Sequence, residues 1–547
     1  MVNVKTAKRE KVTEKKFEFE IKDNILVGDD LTYPENYDNV GEIILEILRS
    51  EPDHIGQIEA TTGKQSTYKE MLDKSVRCAI WLRKAGVKPG DVVAVCSSCY
   101  CENYIPFLAC LYIGAQCAIE YHQLPARTFR HFLSIVTPKI IFLHAHALDN
   151  LIKAQNETST NIRRVIFEDQ VPNEESLDAI LSEQTVAEIE KFRCEDIENP
   201  KHAALLIGTS GSTGVPKVAE LSHLALKTMM HPVYAKIPDR VWLCVAGMRW
   251  ITYFWNLLGG LRSNATRVIA EDAQSAKYYL EIIRKYEIEY YGADTNQLRQ
   301  IYKLGLINDY RETKLKTLRF GGSPFSRDIH ETLIKELPQI NTLQAYGSTD
   351  IGNVIVAQKP GSTPGSCGFI RPGIKLKVVC TQTGVALGPN KHGEICVKSN
   401  TRINKYRGNP IATRNAIDSE GWFHMGDIGY YDEVGELYIV GRTSQFIKYN
   451  DCCLSVLEME TIFDMHPDVY KAVVIPVPSE IEGELPVAVV EKLPDKEITE
   501  HELLTYFKKN MPEFYMLKSV KFVKEMPRTS TGKIARNDLK QMLCVAM

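Results

Sequence analysis

The sequence shows no strong excess of charge of either sign. Its 66 Lys and Arg residues are balanced by 69 Asp and Glu residues, which gives a formal net charge of −3 over 547 residues. Without an overall positive field, the composition gives no general indication of a nucleic-acid partner, although it leaves local basic patches open. With 44% hydrophobic and 25% charged residues, the composition is that of a globular protein, which excludes a chain that is mainly disordered or collagen-like.

Long apolar runs are also absent. The longest run, from Tyr104 to Ile119, is interrupted by Pro106, Gly114 and Gln116, and it is too short to span a bilayer as a helix. It predicts instead a buried helix that leads into a strand. The N-terminus lacks the apolar segment of a secretory signal, and the final Val-Ala-Met differs from the Ser-Lys-Leu peroxisomal signal. We therefore expect a cytoplasmic protein without a membrane span.

The cysteines do not form the pattern of a disulfide framework. The fourteen residues are spread over the whole chain with no secretory signal before them, which favours a reducing compartment. Cys96, Cys99 and Cys101 have a C-x2-C-x-C spacing. A metal site built on them would need further ligands from elsewhere in the chain, so small buried thiols are the favoured interpretation.

Strand-sized apolar runs alternate with amphipathic stretches from Ile43 to about Pro410. The runs that predict buried strands include Val92–Val95, Ile140–Leu143 and Ala203–Ile207. The periodic segment Tyr68–Ala85 predicts a helix between strands. This alternation favours mainly parallel α/β sheets, whereas the first forty residues are polar and predict loops.

Later segments indicate a change of architecture. Ile374–Val379 and Glu394–Val397 are short strand-like runs separated by turns, which favours an antiparallel β subdomain. After Gly441 come short strands, Lys-rich helices and a final basic loop. We predict an α/β fold in which a large N-terminal domain of layered αβ sheets with a β subdomain covers residues 1–440. A small, mobile α+β domain covers residues 441–547.

The clearest candidate for an anion-binding loop follows the predicted strand Ala203–Ile207. Its sequence is Gly-Thr-Ser-Gly-Ser-Thr-Gly-Val-Pro-Lys over residues 208–217. Glycine permits backbone conformations that direct N–H groups toward a phosphate, and a nearby Lys adds positive charge. The loop is not a P-loop, because Lys217 does not directly follow the last Gly and no Ser or Thr follows it. On these residues alone, an ordinary turn is the alternative.

Three further motifs lie downstream. Gly321–Pro324 precedes Gln344–Asp350 by about twenty residues, and together they offer small residues for a flat base, an aromatic face, a hydroxyl and a carboxylate for a metal. Gly421–Asp427 is followed by the pair Gly441-Arg442. The fourth motif, Pro527–Arg536, lies near the C-terminus.

In this order and at these separations, the four motifs resemble those of the acyl-adenylate-forming superfamily. That group includes acyl-CoA synthetases, 4-coumarate-CoA ligases, beetle luciferases and the adenylation domains of peptide synthetases. The resemblance extends from about Thr67 to Leu543, and Tyr104–Ala118 and Ile447–Tyr449 are most similar to the coumarate-ligase and luciferase branch. It implies a two-step reaction. A carboxylate attacks the α-phosphorus of Mg-ATP to give acyl-AMP and pyrophosphate, and a thiol, usually that of coenzyme A, then displaces AMP.

The resemblance implies a nucleotide-binding role for each matching residue. Those that match the loop holding the β- and γ-phosphates are Thr209, Ser210, Gly211, Ser212, Thr213, Gly214 and Lys217. Those that match the adenine site are Gly321, Gly322 and Ser323, which flank the base, and Tyr346, which stacks on it. Asp427 matches the carboxylate that holds both ribose hydroxyls, with Arg442 beside it.

The same resemblance implies the residues that act on the reacting groups. Thr349 matches a hydroxyl near the α-phosphate, and Asp350 stands at the position that contacts Mg²⁺. Lys533 matches the lysine that bridges the carboxylate and the α-phosphate during adenylation, and Lys448 matches a lysine used in the second half-reaction. Without the resemblance, the segment around Lys533 would be interpreted as a solvated basic loop.

Several positions depart from the family pattern. Asp350 replaces the usual Glu, and its side chain is one methylene shorter. We therefore expect a water molecule to bridge its carboxylate and the Mg²⁺ ion. Ala345 and Val218 each replace a usual Gly. Arg249 lies where an aromatic-and-His segment normally lines the acyl pocket. It either favours a substrate with a second polar or anionic group or points outward to solvent.

The largest departure concerns the thioester step. Asp451 stands where the family has the Gly that gives pantetheine a path along the backbone. Asp tolerates φ > 0 better than most residues, but its carboxylate adds bulk and negative charge where an anionic thiol donor approaches.

These residues predict an ATP- and Mg²⁺-dependent ligase that activates a fatty or aryl acid and transfers it to coenzyme A. The small domain would be hinged near residues 443–445 and would alternate between presenting Lys533 and presenting the face of Lys448. Two alternatives stay open. One is an adenylating enzyme with little CoA activity, luciferase-like or with another acceptor, and the other is a catalytically reduced protein that binds a nucleotide or acyl group. The sequence does not indicate which acid is used or the oligomeric state.

Overall fold

We describe a computed structural model of the chain. The residues that it describes are 19–34, 37–97, 100–120, 125–158, 161–168, 171–209, 217–235, 237–271, 274–443, 446–449, 452–479, 483–512, 515–529 and 534–545.

The α-helices of these residues are α1 (Val40–Ser50), α2 (Tyr68–Lys84), α3 (Tyr104–Tyr112), α4 (Ala126–Val136), α5 (Leu148–Thr158), α6 (Leu177–Ser182), α7 (Val186–Lys191), α8 (His223–Met229), α9 (Pro232–Ala235), α10 (Ile251–Ser263), α11 (Ala276–Lys285), α12 (Thr295–Lys303), α13 (Ile307–Arg311), α14 (Arg327–Glu336), α15 (Pro410–Ala416), α16 (Val456–Asp464), α17 (Glu500–Asn510) and α18 (Arg536–Val545).

The strands are β1 (Phe19–Lys22), β2 (Ile25–Gly28), β3 (Ile55–Glu59), β4 (Gln65–Thr67), β5 (Val92–Cys96), β6 (Gln116–Glu120), β7 (Ile140–Leu143), β8 (Arg163–Ile166), β9 (Glu175–Ser176), β10 (Ala203–Thr209), β11 (Lys217–Ser222), β12 (Val241–Cys244), β13 (Thr266–Ile269), β14 (Tyr290–Asp294), β15 (Thr317–Gly321), β16 (Asn341–Ser348), β17 (Asn353–Ala357), β18 (Phe369–Ile370), β19 (Ile374–Val379), β20 (Gly393–Ser399), β21 (Phe423–Tyr431), β22 (Leu437–Arg442), β23 (Phe446–Tyr449), β24 (Cys452–Ser455), β25 (Val469–Ser479), β26 (Gly483–Lys492) and β27 (Ser519–Val523).

Two largely parallel sheets form the body of the large domain. The first sheet has the order β11-β10-β6-β5-β7-β8-β9, and only the β10–β11 pair is antiparallel. The second sheet has the order β18-β17-β16-β15-β14-β12-β13-β3-β4, and its central strands β16 to β3 are parallel. Helices between these strands confirm the predicted α/β alternation, which buries parallel strands on both faces.

The predicted local elements are present at the expected places. The helix predicted over residues 68–85 is α2, which starts with a capping box between Thr67 and Glu70. The run from Tyr104 to Ile119 forms the buried helix α3 and the strand β6, as predicted. Among the described residues, no helix combines the length and the apolar character needed to cross a bilayer.

A third, antiparallel sheet confirms the predicted β subdomain and corrects one expectation. Its order is β1-β2-β19-β20-β21-β22. The first forty residues were expected to form loops, but residues 19–28 form a hairpin that pairs with β19 through Val27 and Lys375. Leu26, the cross-strand partner of Leu376, is fully buried in the main core, which stabilises the hairpin on this sheet.

A fourth sheet belongs to the small C-terminal domain. Its order is β24-β23-β26-β25, and β27 pairs parallel to β26. Helices α16, α17 and α18 accompany it, and among the described residues its two apolar clusters contain none from the large domain. The fold is therefore α/β, with a large N-terminal domain and a small α+β C-terminal domain. The boundary after residue 440 stays a prediction.

Candidate active site

The carboxyl ends of three neighbouring parallel strands form the floor of the candidate site. β14, β15 and β16 pair so that Asp294, Gly321 and Ala345 lie side by side. A Cβ on Gly321 would come within 2.3 Å of the Ala345 carbonyl oxygen, so this close backbone approach requires glycine. Gly322 follows with φ +89° and with no atom within 4 Å of a Cβ added there, which leaves open space above the strand ends.

A buried carboxylate lies next to this edge, between two hydrogen-bond donors. The Tyr346 hydroxyl donates to Asp427 Oδ2 at 2.6 Å, and Arg442 Nε lies 2.9 Å from Asp427 Oδ1. Asp427 is only 5% exposed. Burial and then the Asp427 charge raise the pKa of Tyr346 well above its usual value, so its hydroxyl stays protonated and donates. Asp427 and Arg442 are direct cross-strand partners on β21 and β22, which explains why they meet.

A second carboxylate lies just beyond the end of β16. Tyr406 donates its hydroxyl hydrogen to Asp350 Oδ1 at 2.8 Å. The Asp350 backbone N–H donates to Ser348 Oγ at 3.0 Å, which fixes the turn. The Lys217 ammonium lies 4.8 Å from the centroid of the Tyr406 ring. Burial and the Asp350 charge raise the pKa of Tyr406, so the structure joins a cation, a neutral phenol and a carboxylate.

Tyr406 is a site residue that the sequence analysis missed. It lies in a connection after β20, outside the four motifs, and a bridge to Ala219 on β11 holds it in place. Nothing in its sequence neighbourhood marks it, because the contact with Asp350 depends on the arrangement of the sheets.

The glycine-rich loop is described only at its two ends. Thr209 and Lys217 are paired on β10 and β11, and the Thr209 hydroxyl donates to the Lys217 carbonyl oxygen at 3.5 Å. The first strand thus continues through Thr209 rather than ending at Ile207. The remaining residues expected to hold phosphates lie outside the described residues: Ser210, Gly211, Ser212, Thr213 and Gly214.

Two further candidates have small polar side chains at the same edge. Thr349 is half-buried in the turn between Ser348 and Asp350. The Ser323 hydroxyl is hydrogen-bonded to the hydroxyl of Thr295, at the start of α12. Both residues lie in the segments that follow the parallel strands β15 and β16.

The small domain docks on α12 through buried charges. Arg299 lies 2.8 Å from Asp464 at the end of α16, and both side chains are nearly inaccessible, at 4% and 6% exposure. Burial raises the pKa of Asp464, but the charges of Arg299 and Lys471 outweigh it and lower that pKa overall. The Lys303 ammonium donates to the carbonyl oxygens of His466 and Val469.

Asp294, at the carboxyl end of β14, has a perturbed pKa. Burial raises this pKa, and the backbone N–H groups of Gln297 and Asn296, together with the charges of Arg299 and Arg528, oppose the rise. Lys533, five residues further along, and Asp451 lie outside the described residues. Lys448 belongs to β23, and its side chain also lies outside what is described.

The remaining expectations concern Arg249 and the cysteine cluster. Arg249 is half-buried, and its guanidinium lies 5.9 Å from the ring centroid of Trp250. Cys96 and Cys101 are buried, as expected, and burial raises both thiol pKa values, that of Cys101 to about 12. Cys99 lies outside the described residues.

Comparisons with known proteins match nearly the whole chain. The sequence model of the AMP-binding enzyme family matches residues 47–407, and that of the AMP-binding enzyme C-terminal domain matches residues 458–533. A luciferin 4-monooxygenase from Nipponoluciola cruciata is 30% identical over 95% of this chain and 97% of its own. A 4-coumarate–CoA ligase 3 from Arabidopsis thaliana is 32% identical over 91% and 90%.

A solved structure shows the same fold. The anthranilate CoA ligase AuaEII, in complex with anthranoyl-AMP, superposes with a TM-score of 0.83 over 94% of this chain and 99% of its own, at 18% identity. The family match covers more than half of the chain and agrees with the resemblance carried by the four motifs. The chain therefore belongs to the AMP-binding enzyme family, the acyl-adenylate-forming enzymes.

Proposed function

We propose that this protein activates a carboxylic acid with ATP and transfers the acyl group to coenzyme A. The first step forms a bond between a carboxylate oxygen and the α-phosphorus of ATP and breaks the bond to the β-phosphate oxygen, so pyrophosphate leaves. In the second step the thiol, after losing its proton, attacks the acyl carbonyl carbon. The carbon–oxygen bond to AMP breaks, which gives a thioester and AMP.

The observation that carries the proposal is the Asp427 carboxylate. An ionised carboxylate can accept about four hydrogen bonds. On Asp427, Tyr346 occupies one acceptor position of Oδ2 and Arg442 occupies one of Oδ1. With respect to the described residues, two positions stay available on this buried, oriented group, which suits the two hydroxyls of a ribose. Gly321 and Gly322 lie at the end of β15, the strand next to the one that carries Tyr346, and would flank the adenine.

The donors around Asp350 fit a magnesium ion. Mg²⁺ prefers hard oxygen ligands and is usually held by one or two carboxylates together with substrate phosphates. Asp350 offers a half-buried carboxylate that Tyr406 orients. When bound, the ion would neutralise charge on the phosphates. Lys217, at the start of β11, and the hydroxyl of Thr349 would donate to the same phosphates. The Thr209 hydroxyl would do so after turning away from the Lys217 carbonyl oxygen.

Lys533 supplies the cation that adenylation requires. The attack brings an anion toward a highly charged phosphate, and positive groups placed on the developing charge lower that barrier. The docking of the small domain on α12, which begins directly after Asp294 at the end of β14, supports this role.

The acceptor of the acyl group is the point on which the two candidate functions differ, and the proposal assigns coenzyme A. Relatives named as 4-coumarate–CoA ligases support it, and relatives named as luciferin 4-monooxygenases, with similar identity, support an adenylating enzyme with another second step. Asp451 is the residue that favours this second candidate. A protein that only binds nucleotide has little use for both Lys448 and Lys533, so their presence supports an enzyme.

The test is ATP–pyrophosphate exchange with a panel of fatty and aryl acids, followed by analysis for acyl-CoA. Exchange together with acyl-CoA supports the whole proposal. Exchange without acyl-CoA supports the second candidate, and the absence of exchange with every acid, while ATP still binds, contradicts enzymatic activity.

Lys533→Ala tests the assignment of the adenylation lysine. Removal of one placed cation should reduce exchange about 10²–10³-fold and leave ATP binding nearly unchanged. Lys524→Ala removes an exposed lysine of the same domain and serves as the matched control. An exchange rate in Lys533→Ala equal to that of the control would refute the role.

A further inference from the structure

Three side chains with metal-binding atoms meet on the third sheet, outside the site described above. Glu394 and Cys396 are two residues apart on β20 and so point to the same face, and His424 on β21 is the direct cross-strand partner of Cys396. Glu394 Oε2 lies 3.0 Å and Cys396 Sγ 3.6 Å from His424 Nδ1. One ligand atom from each residue lies within 4.8 Å of the other two.

We propose that Glu394, Cys396 and His424 form a binding site for a thiophilic divalent cation, best matched by Zn²⁺. One thiolate, one imidazole and one carboxylate are the ligand types that zinc accepts, whereas Mg²⁺ and Ca²⁺ prefer oxygen alone. Three protein ligands leave the fourth tetrahedral position to water.

Two of the three donor-atom separations are close to those around a tetrahedral ion, and the third, between Glu394 and Cys396, is no more than 4.8 Å. Ligands at about 2.0–2.3 Å from zinc lie roughly 3.3–3.6 Å from one another. The separation between Cys396 Sγ and His424 Nδ1, 3.6 Å, already has this value. The separation between Glu394 and His424 has to widen by only a few tenths of an ångström, which a small rotation of the Glu side chain provides.

The surroundings complete the arrangement. His424 Nε2 lies 3.6 Å from Asp418 Oδ2. An approach of a few tenths of an ångström would make this contact the hydrogen bond by which a carboxylate commonly orients a metal-binding imidazole and fixes its tautomer. Cys396 is fully buried beside Trp422 and Val379, whereas the His424 side chain is 34% exposed. The ion would therefore enter from solvent past the imidazole.

The thiol is neutral before an ion binds. Burial raises the pKa of Cys396 to about 12, with added effect from the carboxylates of Glu394 and Asp418 and an opposing effect from Lys377. Binding forms the sulfur–metal bond and releases the thiol proton to solvent. Because His424 is three residues before Asp427 on β21, an ion here would hold β20 and β21 together close to the nucleotide site.

The test uses the full-length, reduced protein after treatment with a chelator, with Co²⁺ as the spectroscopic probe. The wild type should develop a thiolate-to-cobalt charge-transfer band that saturates at one equivalent and disappears when Zn²⁺ is added. The band should be lost in Cys396→Ser and in His424→Gln. It should persist in Cys380→Ser, which removes another cysteine of the same sheet region. Asp418→Asn should weaken binding about 10–100-fold without abolishing it.

Two results would overturn the proposal directly, and a third decides if Cys396→Ser does not fold. One is the absence of a charge-transfer band in the wild type, and the other is a band of equal strength in Cys396→Ser and in the wild type. If the buried Cys396→Ser variant does not fold, the partly exposed His424→Gln variant gives the decision, since retention of the band in that variant also contradicts the site.

Discussion

The hydroxyl of Tyr406 should control how well the protein uses magnesium. Tyr406→Phe removes the hydrogen bond to Asp350 Oδ1, 2.8 Å long, and keeps the ring over which the Lys217 ammonium lies. The substitution thus changes the orientation of the Asp350 carboxylate and leaves the contact between the ring and Lys217 in place.

The expected magnitude follows from the role of the hydroxyl in orienting a metal ligand. Loss of a group that orients a metal ligand commonly weakens metal binding about 10–100-fold, and the lower end applies here because Asp350 is half-buried. The Mg²⁺ concentration for half-maximal ATP–pyrophosphate exchange should therefore rise about tenfold.

The assay is exchange measured over a magnesium titration at saturating acid and ATP. Tyr431→Phe is the matched control, because it removes the hydroxyl of a buried tyrosine that donates to the Leu387 carbonyl oxygen at 3.1 Å. The control should follow the wild-type titration. A half-maximal Mg²⁺ concentration in Tyr406→Phe within twofold of the wild type would refute the assigned role of Asp350 and Tyr406.

Two further predictions concern the nucleotide and the buried core. Asp427→Ala should raise the ATP dissociation constant, measured by calorimetry, at least tenfold, because each charge-assisted bond to ribose contributes about 1.5–3 kcal/mol. An unchanged constant in a variant that is folded by circular dichroism would contradict the ribose assignment. Burial lowers the pKa of His223 to about 4, whereas the pKa in the unfolded chain is 6.5. Because the unfolded chain binds the proton more readily, protonation favours unfolding. The free energy of unfolding therefore decreases as the pH falls from 6.5 toward 4. At pH 5 the free energy of unfolding is lowered by about 2 kcal/mol. Between pH 7 and pH 5, the melting temperature of His223→Met should therefore fall less than that of the wild type. Equal losses in thermal melts of the two proteins would show that His223 does not contribute to acid sensitivity.

The helices and strands that could be predicted are those whose pattern lies within a few consecutive residues of the sequence. The strands at Val92–Val95 and Ile140–Leu143 and the helix from Tyr68 were found where expected. In each case a continuous apolar run or a helical period of apolar residues marks the element within its own segment. The hairpin at residues 19–28 was missed because its partner strand lies near residue 375.

The same distinction applies to the candidate site. Residues in contiguous motifs, such as Tyr346 and Asp427, could be selected from the sequence by resemblance, and the structure brings these two within hydrogen-bond distance. Tyr406 and Asp418 could not, because each acquires its neighbours through strand pairing and loop packing. The catalytic roles of Lys533 and Lys448 stay predictions.

The N-terminal hairpin has a consequence for how the chain is synthesised. Val27 pairs with Lys375, a residue that the ribosome adds 348 positions later. At a translation rate of about 5–20 residues per second, β19 is synthesised roughly 17–70 s after β2. The edge of β2 that pairs with β19 stays unpaired during this time. During translation the hairpin thus presents an unpaired strand edge, and the third sheet, which carries Asp427, can close only after most of the protein has left the ribosome.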